Sequence, residues 1–433
     1  MKILLINPPN CGRSIPEERY GITSIKQIFR GEPLGLEVLA GNLDGHDVRI
    51  LDLKVEPDGL QQALNPFKPE LVAFTAMTCE AQTVLRLAGE VRQTLQTTIV
   101  AGGVHASNNP EFFNRDVIDW IVIGLGKQSF HHLVNALAEN AEGISIPDIP
   151  GVAATCPGTP LTYRPRTFIR DDLPEQQVPR YDLVDHYRPH YIIESLGLQL
   201  GFVVSAAGCP YDCSFCCIAP LTGGNYLTAT IKTVIRDIRS LQAPVIRLVD
   251  ANTFGNPGHA LKLAEAIEAA GINKQFLADV RSDTVVRHPQ LLKRWKEVGL
   301  RAVVIGFEEI DDKALDAMNK ENSARINLQA IEILHQLGLT IVGDFIISPG
   351  YSEQQFDKLS HFVKNQKIDL PMHTVLTPLP GTRLYKQMRE QITNHDLDYY
   401  TLTNAVIPTR LDEETFYHCY ASLLAEGHQS AKI

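Results

Sequence analysis

Three cysteines within one short loop, Cys209, Cys213 and Cys216, constrain this chain more than any other feature. They stand in Gly208-Cys209-Pro-Tyr-Asp-Cys213-Ser-Phe-Cys216-Cys217, a C-x3-C-x2-C array with an aromatic residue, Phe215, just before the third cysteine. Disulfides do not suit thiols crowded into one loop of a chain with cytosolic character. A zinc site usually shows paired C-x2-C knuckles or a Cys/His pair downstream, and neither follows here. The remaining reading is an iron–sulfur cluster. A [4Fe–4S] cluster normally takes four thiolates, so a loop with three leaves one iron open to a cofactor or substrate. Cys217 is adjacent to Cys216, would point away from it, and reads as a packing residue. Cys11, Cys79, Cys156 and Cys419 are scattered, and a small buried hydrophobe is their default reading.

Composition sets the outer limits. At 433 residues the chain has room for two to three domains. With 44% hydrophobic and 21% charged residues it can bury large cores. A net charge of −10 without any block of Lys or Arg argues against a nucleic-acid partner held through phosphates. The opening Met-Lys-Ile-Leu-Leu-Ile-Asn-Pro-Pro is too short an apolar run for a signal peptide. No run approaches the roughly 18 apolar residues of a membrane span. A soluble, cytoplasmic protein without a membrane span is expected.

Strand and helix signals alternate over about residues 1–141. Strands are expected at Lys2–Asn7, Asp47–Leu53, Leu71–Thr78, Thr98–Ala101 and Trp120–Ile123, with helices at Leu34–Leu43, Glu80–Thr94 and Ser129–Glu139. This pattern predicts a doubly wound, Rossmann-like α/β domain, which binds ligands beyond the carboxyl ends of its strands. Residues 142–199 are proline-dense and weakly periodic, and read as a linker whose Tyr187–Ile193 stretch can pack on a neighbour. Alternation resumes at residue 200. Strands at Leu200–Ser205, Val245–Val249, Gln275–Val280, Ala302–Ile305, Thr340–Ile347 and Met372–Leu376, with helices between them, predict a partial (β/α)6 barrel of TIM type over 200–393. Residues 394–433 form a carboxyl-terminal cap with a helix near Glu413–Leu424.

The cysteine loop falls at the tip of the first barrel strand, where barrel enzymes place their chemistry. Other strand tips carry polar groups: Asp250 and Asn252, Arg281 and Asp283, and Glu308. Each alone is as readily a salt-bridge residue. Together on one rim they form a candidate binding site.

The cysteine spacing with Phe215 resembles the cluster loop of the radical S-adenosylmethionine enzymes. The resemblance implies that S-adenosylmethionine chelates the open iron and is cleaved to a 5′-deoxyadenosyl radical by an electron from the cluster. It also implies a donor such as flavodoxin or ferredoxin. Asp250, Asn252, Arg281, Asp283 and Glu308, with Phe215, would then contact S-adenosylmethionine. Val249-Asp250-Ala251-Asn252 stands where the family often has Gly-Gly-Glu. It matches the acidic form of the cobalamin-binding subgroup, as does Thr377-Pro378-Leu379-Pro380-Gly381-Thr382, a segment that reads as a tight turn.

The first domain resembles that subgroup too, through Asn7-Pro8-Pro9, Pro33-Leu34-Gly35-Leu36, Gly102-Gly103-Val104-His105 and Gly124-Leu125-Gly126, so the likeness covers nearly the whole chain. It implies cobalamin contacts by Thr75, Thr78, Gly102, Gly103, His105, Gly124 and Gly126, the glycines letting backbone approach a large planar ligand or its tail. There is no Asp-x-His-x-x-Gly loop, so His105 reads as a loop residue near the tail and not as a cobalt ligand. The subgroup's Gly-Glu-Gly-Glu is here Gly124-Leu125-Gly126-Lys127, with both acids gone.

The function implied is a radical methyltransferase acting on an unactivated carbon of a small substrate, an apolar one by preference, with [4Fe–4S], S-adenosylmethionine and cobalamin as cofactors. The alternatives are a radical oxidoreductase, cyclase or hydroxylase without methyl transfer, and a non-catalytic cobalamin or iron–sulfur sensor. Asp398-Tyr399-Tyr400 and Pro408-Thr409-Arg410-Leu411 resemble segments of members acting on polycyclic lipids and tetrapyrroles. A plain cap over the barrel is the simpler reading of that region.

Overall fold

The computed structural model of the chain describes residues 1–23, 31–139, 148–193 and 198–430. Two parallel sheets organise them. The first runs in the order β2-β1-β3-β4-β5-β6, built from β1 (Lys2–Asn7), β2 (Asp47–Asp52), β3 (Leu71–Thr75), β4 (Thr98–Gly102), β5 (Trp120–Val122) and β6 (Val152–Ala154). Pairs among β1–β5 are parallel and β6 is antiparallel to β5. Covered on both faces, its inner strands read as unbroken apolar runs: Ile3, Leu4, Leu5 and Ile6 are almost wholly buried. Ile3 and Leu5 pack with the helices Leu34–Gly41 and Gly126–Ala138. Leu4 and Ile6 share the other core with the helix Ala81–Thr94.

The second sheet runs β15-β14-β13-β12-β11-β8-β7, from β7 (Ile192–Ile193), β8 (Leu198–Val203), β11 (Val245–Leu248), β12 (Gln275–Val280), β13 (Leu300–Glu308), β14 (Thr340–Ile347) and β15 (Leu370–Val375). All its pairs are parallel except β7 with β8, and β15 does not pair with β8, so the sheet stays an open half-barrel. Between β8 and β11 a small antiparallel pair, β9 (Ala206–Gly208) and β10 (Tyr226–Thr228), brackets the cysteines. The helices behind the half-barrel are well stopped. Ala324–Leu337 starts where the Ser323 side chain accepts from Ile326 N, and ends at Gly338 with φ +62°. Trp295, fully buried, donates its indole N–H to Ala260 O at 3.0 Å between two of them. Among the described residues no helix is long and apolar enough to cross a membrane.

Residues 142–199 do more than connect. They supply β6, and Val184, Tyr187 and Tyr191 enter the first domain's core while Leu173 and Tyr181 enter the half-barrel's. Single polar contacts lock this crossing. Tyr191 donates to Asp52 at 2.9 Å, Tyr181 to Phe202 O at 3.1 Å, and Glu32 accepts from Phe202 N at 2.9 Å while pairing with Arg188. Residues 142–147 and 194–197 of this stretch, and 431–433 of the expected cap, lie outside the described residues.

The carboxyl-terminal region also serves both domains. The helix Glu413–Ser430 packs on β15 and on the helix Glu353–Asn365. The segment before it places Leu397, Tyr400 and Val406 in the first domain's core. Asn404, wholly buried, closes this arrangement: it accepts from Ile15 N and donates to Arg13 O, Tyr399 O and Thr401 Oγ1, all within 2.9 Å. Removing that amide strands the buried Ile15 N–H. Asn404→Ala is expected to lower the free energy of unfolding by about 1–3 kcal/mol, read from urea denaturation.

Candidate functional site

The cysteine loop is positioned from below by one carboxylate. Asp250, at the end of β11, is buried and accepts from Ser205 N and Ala206 N, both at 2.7 Å, and from Ser205 Oγ at 2.5 Å. Those bonds fix the corner between β8 and β9. Burial raises its pKa above the usual carboxylate range, opposed by these same donors. At the exit of β9, Gly208 has φ +83°, and a Cβ there would lie 1.9 Å from Asn225 O, so only glycine lets the loop start against β10.

Further contacts hold the loop from the sides. Ser214 N and Oγ both donate to Met318 O, and Ser214 O accepts from Leu384 N at 2.8 Å. Asp212 pairs with Arg383 at 3.0 Å, and its carbonyl accepts from Asn319 at 2.8 Å. From the first domain, Asn108 donates to Cys217 O at 3.4 Å. Cys209, Cys213 and Cys216 all line one cavity of about 360 Å³ with Tyr211, Gly381, Arg383 and Lys386. Cys217 is not on that wall. Burial, and beyond it the neighbouring thiols of Cys217, Cys213 and Cys209, push the Cys216 thiol up to about 12. Among the described residues, no three His, Cys, Asp or Glu side chains converge on a single metal ion. A cubane cluster asks for something else, because each thiolate takes its own iron. Three thiols on one cavity wall fit that demand.

The strand-tip residues divide into committed and free. Arg281 lies over the Tyr211 ring at 3.5 Å, binds Asp283 at 3.0 Å and donates to Lys320 O at 2.8 Å. Tyr211 donates to Asp283 at 3.0 Å. Glu308, with φ +63° at a bulge between β13 and β14, is ion-paired with Lys320. These groups therefore tie the loop to the β12 and β13 tips. Asp250, grouped in sequence with the S-adenosylmethionine contacts, is engaged by the corner below the loop and is a positioning residue. Asn252 is the contrast: 1% exposed, with neither side-chain polar atom paired. An unpaired buried amide is costly unless a ligand completes it. Phe215 is half-buried.

Sequence reasoning did not single out the half-barrel's inner face. Val303, Ile305, Ile341 and Phe345 face the helices, and the alternating positions carry Arg247, Asp279 and Asp344 inward. Arg247 is ion-paired with Asp279. Burial, with Glu308 and Asp279 nearby, pushes Asp344 up to about 8. A lone charge inside each of three otherwise apolar strands was the available signal.

A second cavity, about 590 Å³, lies between the domains. Its walls are mainly apolar: Leu34, Leu36, Leu39, Met77 and Leu125 from the first domain, and Phe202, Val204, Ala207 and Val249 from the second. Met77 and Val249 are unusually exposed for large apolar residues, at 48% and 37%. Of the expected cobalamin contacts, Thr75 and Gly126 line this cavity. The others are placed differently. His105 is wholly buried, faces Thr78 Oγ1 at 3.2 Å, and stands edge-on to Phe112 and Phe113; burial pushes it down to about 4. It sits buried on the helix Gly103–Asn108 and not in a loop, and Thr78 is engaged with it. Gly103 makes its close approach to Thr75 and Ala76, and Gly124 to the Phe168 ring, so in both the space is taken by the chain itself. Gly102 ends β4 with only ordinary contacts around it.

Lys127, standing in place of one of the two missing acids, has a structural task. Buried on the helix Gly126–Ala138, it donates to Asp171 O, Leu173 O and Gln176 Oε1, each at 2.8 Å, and straps the crossing segment to the cavity wall. Gly124→Ala adds a methyl 2.2 Å from Phe168 at φ +83°. It is expected to cost about 1–3 kcal/mol in chemical denaturation. Adding Phe168→Ala should restore the steric part and leave the backbone part.

An open parallel half-barrel with three cysteines at its first strand tip, facing a doubly wound domain across an apolar cavity, defines a class of two-domain radical enzymes. Comparison with known proteins agrees. The family described as "B12 binding domain" matches residues 25–134, and the Radical SAM superfamily matches residues 203–363. Hopanoid C-3 methylase of Methylococcus capsulatus is 30% identical over 405 residues, spanning 90% of this chain and 75% of the relative. Bacteriochlorophyllide d C-8(2)-methyltransferase of Chlorobaculum tepidum is 27% identical, over 78% of this chain and 73% of the relative. Among solved structures, the radical S-adenosylmethionine methyltransferase TsrM from Kitasatospora setae, with cobalamin and a [4Fe–4S] cluster bound, superposes with a TM-score of 0.72 at 17% identity, covering 98% of this chain and 88% of that one. The chain belongs to the cobalamin-binding radical S-adenosylmethionine enzyme family.

Proposed function

We propose that this protein is a cobalamin-dependent radical methyltransferase that places a methyl group on an unactivated carbon of a small apolar substrate. The observation that carries the proposal is the pairing of two sites. The thiol wall of the half-barrel and the apolar interdomain cavity are joined by β8 and its continuation, since Phe202, Val204 and Ala207 line the cavity directly before Cys209. The methylase relatives support the reaction class.

The group set supplies reductive cleavage of S-adenosylmethionine at the cluster and a methyl carrier in cobalamin. The chain's residues do the rest. Cys209, Cys213 and Cys216 hold the cluster. Asn252 completes its unpaired amide on the polar part of S-adenosylmethionine, with Phe215 beside the loop. Arg281, Asp283, Tyr211, Glu308 and Lys320 fix the rim's charge and keep the loop in register with the strand tips. Thr75, Met77 and Gly126 hold the cobalamin side of the interdomain cavity, and its apolar walls exclude water and select an apolar substrate. No Ser–His or carboxylate-pair machinery is needed for such chemistry.

The test is anaerobic reconstitution. The protein is expected to bind cobalamin, seen by its absorption, and to release 5′-deoxyadenosine from S-adenosylmethionine on reduction. Cys213→Ala should keep the far-ultraviolet circular dichroism and lose both the cluster and the cleavage. Absence of cleavage in the wild type would overturn the radical reading, leaving a sensor. Asn252→Ala should weaken S-adenosylmethionine binding about 5- to 100-fold, while the iron content stays unchanged.

A further inference from the structure

The half-barrel's inner face carries one charge that the proposed chemistry leaves unused. Arg247, Asp279 and Asp344 point inward from β11, β12 and β14, each partly open to solvent. Two ion pairs neutralise most of this charge: Arg247 with Asp279, and Lys320 with Glu308. The second pair folds back over Gly306, where a Cβ would lie 2.9 Å from Lys320 Nζ and run into the Glu308 carboxylate. Gly306 stands directly beside Asp344 in the sheet register. Asp344 itself makes no hydrogen bond or ion pair among the described residues. Three acids thus face two cations, and the spare acid is Asp344. Its neighbours on that face are apolar or bare: Val342 and Ile346 along β14, Met372 on β15 and Gly306 on β13. A polar group kept without a partner in such a trough is costly unless a ligand completes it. Burial, with Glu308 and Asp279 nearby, leaves the proton on this carboxyl near neutrality, so it can donate as well as accept.

Resting on the methyltransferase reading above, we propose that Asp344 is the substrate-anchoring residue, and that the substrate is an apolar skeleton bearing one hydrogen-bond donor, a hydroxyl or an amine, held by the Asp344 carboxyl. The chemistry of the trough sets this preference. A hydroxyl can accept from the protonated acid and donate to its other oxygen. A protonated amine replaces the acid's proton, which leaves to solvent as the ion pair forms. A carboxylate or phosphate meets Asp344 with Asp279 and Glu308 close by, and the cations that could hold it, Arg247 and Lys320, are already paired. No bond to carbon is made or broken at Asp344. The anchor fixes which end of the skeleton stays in the half-barrel, and so which carbon is presented for reaction.

The test uses holoenzyme reconstituted with cluster and cobalamin, kept oxidised and saturated with S-adenosylmethionine, so that binding is read without turnover. The probes share one skeleton: 1-adamantanol, 1-adamantylamine and adamantane-1-carboxylate. Their affinities are measured by titration calorimetry near neutral pH for wild type, Asp344→Asn and Asp344→Leu. The wild type is expected to bind the alcohol and the amine about tenfold more tightly than the carboxylate. Asp344→Asn, which can still donate and accept but carries no charge, should keep the preference for the alcohol and lose that for the amine. Asp344→Leu should bring the three affinities within about threefold of one another, with the iron content and far-ultraviolet circular dichroism of the wild type. Equal affinities for the three probes in the wild type, or no binding of any of them, would overturn the anchor. So would an Asp344→Leu variant that keeps the order of the probes and instead weakens S-adenosylmethionine binding, which would assign the residue to the cofactor. The methyltransferase reading fails separately: a wild type that binds the probes in the expected order yet releases no 5′-deoxyadenosine on reduction would overturn that reading and leave the anchor standing.

Discussion

The buried carboxylate of Asp250 is the interaction on which the rest of the site depends. It turns β8 into β9 by capturing Ser205 and Ala206, and that corner decides where the cysteine loop begins. A carboxylate with three donors at hydrogen-bonding distance is well solvated by the protein, which offsets the cost of its burial. Everything downstream inherits the corner's geometry: the thiols on one wall, the Tyr211 ring beneath Arg281, and the Asn108 contact that ties the loop to the other domain.

The two domains are held as a unit by the segments that run between them. Glu32, Arg188 and Phe202 join one crossing, and Asn404 closes the second at the amino terminus. This double fastening gives the interdomain cavity walls from both domains, including Met77 on one side and Val249 on the other. Under the proposed function, an apolar chamber between the first domain and the cluster loop would keep water from a reactive carbon.

Periodicity carried the architecture. Apolar runs such as Lys2–Asn7 and Thr340–Ile347 map onto strands, and the cysteine spacing locates the first strand tip. Short elements without a period were not legible: β6, β9, β10 and the helix Gly103–Asn108 are each six residues or fewer. Side-chain commitments were also out of reach. The strand-tip position of Asp250 was readable, but its partners Ser205 and Ala206 lie 45 and 44 residues away. The glycines near 103 and 124 were legible as close approaches, yet only packing shows that Thr75 and Phe168 occupy the space. His105 looked like a loop residue because the short helix Gly103–Asn108 carries no period, and only the fold turns Phe112 and Phe113 back onto its ring.

The most direct measurement of the central claim is the fate of S-adenosylmethionine carrying a deuterated methyl group. Methyl transfer to carbon consumes two molecules: one yields 5′-deoxyadenosine with hydrogen from the substrate, the other yields S-adenosylhomocysteine and the methyl group. With an accepted apolar substrate and cobalamin bound, the account predicts both products in equal amounts and a trideuterated methyl group on the product carbon. Formation of 5′-deoxyadenosine alone, with unlabelled product, would contradict it and assign this chain to a radical rearrangement, cyclisation or oxidation.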